Sequence, residues 1–74
     1  MEDGGFCETG IIGKVDASDP GCVKFELTVA KALIVSCRIR DLLTPRLRNG
    51  QRVRVVGRWQ DIFSAAYVEV ESVT

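Results

Sequence analysis

The chain has 74 residues, ten basic and ten acidic side chains, no histidine, a formal net charge of zero and 46% hydrophobic residues. A chain this short buries only about 60% of the surface its unfolded form exposes, so it supports a single domain. The hydrophobic content excludes a disordered segment, the zero net charge excludes a global field drawing the chain onto a polyanion, and no run approaches the roughly eighteen apolar residues of a membrane span.

Residues 1–8, "MEDGGFCE", carry two adjacent glycines and three acids, with only Phe6 and Cys7 to anchor them. They read as a flexible arm ahead of one domain over 9–74. Their acidity and lack of an apolar run argue against a signal peptide, so the expected location is cytoplasmic.

Period-two alternation begins with "TGIIGKVD", 9–16, where Ile11 and Val15 are expected inside and Ile12, Lys14 and Asp16 outside. Gly13 falls within this run, where a glycine marks a bulge or bend. "ASDPG", 17–21, is turn chemistry, because proline presets φ and the following glycine tolerates positive φ. In "CVKFELTVA", 22–30, Val23, Phe25, Leu27 and Val29 alternate with Lys24, Glu26 and Thr28, as in a sheet with one dry face. "LIVSCRIR", 33–40, points Val35, Cys37 and Ile39 inward and Ile34, Ser36, Arg38 and Arg40 outward. "DLLTPRLRNG" then breaks the alternation. Thr44 caps, Pro45 suits a first helical position and Asn49-Gly50 ends the turn, so one short helical turn is expected, with Leu43 and Leu47 plugging the core. Strand pattern resumes over 51–60, with Val53, Val55, Gly57 and Trp59 inside and Arg52, Arg54, Val56 and Arg58 outside. After "DIFSA", "AYVEVES" sends Val68 and Val70 in and Tyr67, Glu69 and Glu71 out.

Five short strands with a helical turn between the third and fourth predict an all-β protein, a small closed Greek-key barrel. A sheet this small with open edges would be marginal and prone to aggregate. The order of "GKV", "VKFEL", "VSCRI", the spaced "L-x-x-x-L-x-x-G-x-x-V-x-V-x-G-x-W" over 43–59 and "YVEVES" resembles the oligonucleotide/oligosaccharide-binding (OB) fold, in its tRNA-anticodon-binding type. It is similar to the N-terminal domain of exodeoxyribonuclease VII large subunits. The resemblance covers nearly the whole chain and implies a five-stranded OB-type barrel whose second and third strands form a binding face. Aromatic residues customary on that face are replaced here by Lys24, Glu26, Thr28, Ser36, Arg38 and Arg40.

No nucleophile–base set, phosphate loop or pair of carboxylates on a helix face is present, so no catalytic residue is expected. Cys7, Cys22 and Cys37 form no C-x-x-C pair, and without histidine they suggest neither a metal site nor a cofactor. The arginines are the functional signal. Residues 38–58 hold seven arginines against one acid, a net of +6 that the other 53 residues balance with −6. Two readings follow. Arginine suits bidentate contact with phosphate and stacking on bases. Equally, a fifth strand lying between the third and fourth would set Glu69 and Glu71 beside outward arginines, with Arg52 and Arg54 nearest, as a ladder of opposite charges.

The expected function is a non-catalytic module binding single-stranded nucleic acid, DNA or RNA, weakly and without sequence preference. Its groove would comprise Lys24, Arg38, Arg40 and Arg58, with Phe63 and Tyr67 offering ring faces. The alternative is a protein-interaction module, a homodimer or an accessory domain of a larger nucleic-acid enzyme, using outward Ile12, Ile34 and Val56. Sugar binding ranks third, because the chain has only five aromatic rings and the core takes part of them.

Overall fold

In the computed structural model, residues 4–40, 47–62 and 65–74 are described. They form β1 (Gly5–Asp16), β2 (Cys22–Ala30), β3 (Leu33–Arg40), β4 (Arg52–Ile62) and β5 (Ala65–Val73). The strands close a barrel in the order β1-β2-β3-β5-β4, with β3 and β5 parallel and all other pairs antiparallel. The protein is therefore all-β, a small OB-type barrel, and no helix occurs among the described residues. The expected helical turn falls largely on 41–46, outside the described residues. Leu47, from the same stretch, packs against the core as expected.

The alternating residues make one interior. Val23, Phe25 and Leu27 of β2 meet Val35, Cys37 and Ile39 of β3, Val53 and Val55 of β4, and Val68 and Val70 of β5, all buried. Among the described residues no polar side chain is buried, so the core bears no desolvation cost from unpaired polar atoms. One end is closed by the segment entering β4. The Gly50 N–H donates to the Ile12 carbonyl at 2.7 Å, the Ile12 N–H to the Gln51 carbonyl at 2.9 Å, and the Val15 N–H to the Asn49 side chain at 3.0 Å.

β1 departs from simple alternation. Ile12 is buried at 1% exposure and Ile11 lies outside at 40%, the reverse of the expected assignment. The cause is a bulge: Gly13 faces Glu26 but Asp16 faces Lys24, so β1 advances three residues while β2 advances two. Lys14 takes the left-handed conformation there (φ 51°), which lets both Ile12 and Val15 turn inward. Stepping back from Val15 in twos therefore places Ile11 on the wrong face. Ile12 belongs to the core and is unavailable to a partner.

Two further expectations are corrected. Gly5–Glu8 are not an arm but the start of β1, paired with β4 from Gly5 opposite Arg58 to Glu8 opposite Val55. Trp59 keeps its inward parity, opposite Val68, but lies where the barrel opens and is 42% exposed. It meets Phe6 edge-on, with ring centroids 5.7 Å apart. That contact anchors the first residues of β1, which sequence pattern alone leaves unattached.

The interior assignment sets the cost of substitutions. Phe25→Ala should cost about 3–5 kcal/mol, a large share of a small domain's stability. Gly57→Ala should also unfold or severely destabilise the barrel, because the added Cβ would fall on the Glu69 carbonyl oxygen and the Val70 Cα. Gly13→Ala, with nothing within 4 Å of the new methyl, is the control and should melt within about 0.5 kcal/mol of the parent. Urea melts of the three variants check this.

The buried thiol of Cys37 adds a pH dependence. Burial pushes its pKa up from 9.0 to about 12. The folded barrel favours the neutral thiol, so this contribution is intact below about pH 9. It declines as pH rises from 9 toward 12, where the unfolded chain ionises and the folded one does not. The parent should lose stability over that window more steeply than Cys37→Ala, as measured by melts at successive pH values.

Candidate nucleic-acid interface

Register, not sequence proximity, assembles the charged outer face. Asp16 of β1 lies opposite Lys24 of β2, Lys24 opposite Arg38 of β3, Arg38 opposite Glu69 of β5, and Glu69 opposite Arg58 of β4. One row thus crosses all five strands with charges alternating almost residue by residue. Strand pairing places the side chains on one side of the sheet, since partners in register point the same way.

At the β2 end the row is tied to the β1–β2 turn. The Lys24 Nζ lies 2.7 Å from the Asp19 carboxylate, and that hydrogen bond raises the lysine above its ordinary pKa. Asp16 folds the turn by accepting the Ser18 N–H at 2.9 Å, and its bonding to Ser18 holds its carboxyl below the usual range. At the β4 end the Arg58 Nε approaches Glu71 at 3.6 Å. Between them the guanidinium of Arg38 lies 4.2 Å above the centre of the Tyr67 ring. Such a contact is worth about 0.5–1 kcal/mol at an exposed site. It holds the guanidinium over the ring at the middle of the row.

Three adjoining clefts follow the row. The first, about 260 Å³, is lined by Lys14, Asp16, Lys24, Glu26, Arg38 and Tyr67 among others. The second, about 180 Å³, shares Arg38 and Tyr67 and adds Arg40 and Glu69. The third, about 280 Å³, shares Arg40 and Glu69 and reaches Arg58 and Glu71. Lys24, Arg38, Arg40, Arg58 and Tyr67 are thereby brought onto one surface, while Phe63 lies outside the described residues. Lys14 was not singled out from sequence. Its left-handed bulge conformation is what delivers it to the first cleft, and an alternation pattern carries no signal of that.

The glutamate ladder does not fall on Arg52 and Arg54. In the β4–β5 register Arg58, not Arg54, lies opposite Glu69, and the one-residue slip between Val56 and Gly57 leaves Glu71 as the extra residue on β5. Arg54 instead lies opposite Thr9, and its Nη2 donates to the Cys7 sulfur at 3.3 Å. The clefts are lined by a mixture of five cations (Lys14, Lys24, Arg38, Arg40, Arg58) and four acids (Asp16, Glu26, Glu69, Glu71), and Asp19, paired with Lys24, balances the fifth cation.

Among the described residues no cluster of histidine, cysteine, aspartate or glutamate could hold a metal ion, and no helix is long and apolar enough to cross a membrane. The class defined by architecture is a small closed barrel of OB type with a mixed-charge cleft across β2, β3, β5 and β4. No family model and no curated protein matches the chain.

The Lys24–Asp19 pair can be checked directly. Its stabilising contribution is present below the lysine's unfolded pKa and is lost as pH rises through the higher folded value. In an NMR titration of the Lys24 side chain, Asp19→Asn should lower the pH at which it loses its proton.

Proposed function

We propose that the barrel is a non-catalytic module binding single-stranded nucleic acid, weakly and with little sequence preference, along the cleft from Lys14 to Arg58. The observation that carries this reading is the Arg38–Tyr67 stack at the middle of the cleft. A guanidinium held over a ring combines N–H donors suited to a phosphate with π-surface suited to a base, the two contacts that sequence-tolerant single-strand binding needs. Lys24 and Arg40 flank it on the same surface. The resemblance to the anticodon-binding type of OB fold, and to exodeoxyribonuclease VII large subunits within it, supports the same assignment.

The carboxylates set the strength. A phosphate arriving at Lys24 competes with Asp19, and one arriving at Arg58 competes with Glu71. Binding is accordingly modest and strongly dependent on salt.

Affinity for a short labelled single strand should fall by about 0.7 log units per decade of salt for each phosphate neutralised. With three to five contacts that is roughly ten- to a hundredfold between about 50 and 200 mM salt. Arg38→Ala with Arg40→Ala should flatten the slope and weaken binding while leaving the fold intact. Asp19→Asn should strengthen binding by releasing Lys24. A parent with no detectable binding at low salt, or a double variant that loses stability without altering binding, would assign the arginines to the sheet alone.

A further inference from the structure

The carboxylates along the charged face differ in what surrounds them. Asp16 accepts the Ser18 N–H, Asp19 pairs with Lys24, Glu71 pairs with Arg58, and Glu69 stands in register between Arg38 and Arg58. Glu26 has no such support. Its neighbours across β1 and β3 are Gly13 and Ser36. Among the described residues no ion pair or side-chain hydrogen bond engages its carboxylate. Gly13 presents no side chain, and a Cβ added there would meet nothing within 4 Å, so the sheet beside Glu26 is open on that side. Phe25 and Leu27 are buried, which turns Glu26 outward with Lys24, half-buried against the sheet.

Glu26 lines the first cleft together with Lys14, Lys24, Arg38 and Tyr67. The Glu26–Ser36 row lies one step along the strands from the Lys24–Arg38 row and on the same face. Three chemistries thus stand side by side in one cleft. Cations suit a phosphate, the Tyr67 ring suits the face of a base, and Glu26 supplies an acceptor for the edge of that base.

We propose that Glu26 makes this cleft prefer guanine at one position of a strand that is otherwise bound without regard to sequence, an inference that rests on the single-strand reading above. A carboxylate accepts hydrogen bonds and donates none. Guanine alone among the common bases presents two adjacent donors, N1–H and the N2 amino group, to match the two carboxylate oxygens. Adenine and cytosine each set one amino donor beside a ring-nitrogen acceptor. Thymine and uracil have one N–H between two carbonyls. Each of these would bring a lone pair against one Glu26 oxygen while bonding the other. In a single strand the edge that carries these donors is unpaired and free to be read.

Short oligothymidylate strands carrying one central guanine, hypoxanthine, adenine or cytosine, titrated into the full chain at low salt, test this. The guanine strand should bind about five- to tenfold more tightly than the all-thymine strand, the low end of what a bidentate base contact gives. Hypoxanthine keeps N1–H but lacks the N2 amino group, and should fall between them. Adenine and cytosine should match thymine to within about twofold. Glu26→Gln should erase the guanine advantage while binding the all-thymine strand at least as well as the parent. Asp16→Asn changes another carboxylate of the cleft, one that serves the β1–β2 turn, and should keep the advantage. A parent that binds every strand equally overturns the guanine preference and leaves the single-strand reading standing. A parent that binds no strand overturns both. A guanine advantage that survives in Glu26→Gln, or that Asp16→Asn removes, overturns the assignment to Glu26. Should Glu26→Gln fail to fold by circular dichroism, the parent's ranking of guanine against hypoxanthine decides, and equal affinities overturn the proposal.

Discussion

The barrel depends on the close approach of β4 and β5 at Gly57. A side chain there would collide with the Glu69 carbonyl and the Val70 backbone, so the two strands reach hydrogen-bonding distance only because this position has none. Their pairing places β5 between β3 and β4, and that insertion closes the barrel. Closure buries Val68 and Val70 against the other strands' valines, and the same register aligns Glu69 between Arg38 and Arg58. Core and charged face thus follow from one backbone contact.

How far the sequence foretells the structure depends on whether a strand is regular. β2 and β3 pair residue for residue over most of their length, and the inward set Val23, Phe25, Leu27, Val35, Cys37 and Ile39 is legible from alternation alone. β1 contains a bulge, and there the pattern misleads. The bulge after Gly13 reverses Ile11 and Ile12. Gly13 hints at it, but its presence does not say which way parity shifts. The β4–β5 register, which no alternation records, sets Arg58 and not Arg54 opposite Glu69. The sequence around Phe6 carries no strand signal because its partner, Trp59, is more than fifty positions away, and no local pattern records such a contact.

The charged face was legible in composition and not in arrangement. An arginine-dense window suggests a positive groove, whereas β5 threads Glu69 and Glu71 into its middle. The carboxylates have a double effect. They hold long cationic side chains in place, which lowers the entropy lost when an anion binds, and they compete with that anion for the same groups. Arg38 differs in being positioned by the Tyr67 ring, a support that orients without competing for charge.

The position of β5 also constrains the order in which the molecule can assemble. β5 follows β3 and β4 in the chain yet lies between them, so those two strands have no direct ladder to form while they wait for it. The β1–β4 ladder likewise joins segments some forty residues apart, such as Ile11 with Arg52. The β1–β2, β2–β3 and β4–β5 pairs are local hairpins, and β2–β3 brings Phe25 against Cys37 before any distant strand is needed. Topology of this kind slows folding, because loop entropy is lost before long-range contacts return it. During synthesis the β1–β2–β3 meander would stand with its dry face uncovered until β4 and β5 emerge. Until then only local hairpins hold the chain, a stage at which apolar surface is open to any neighbour.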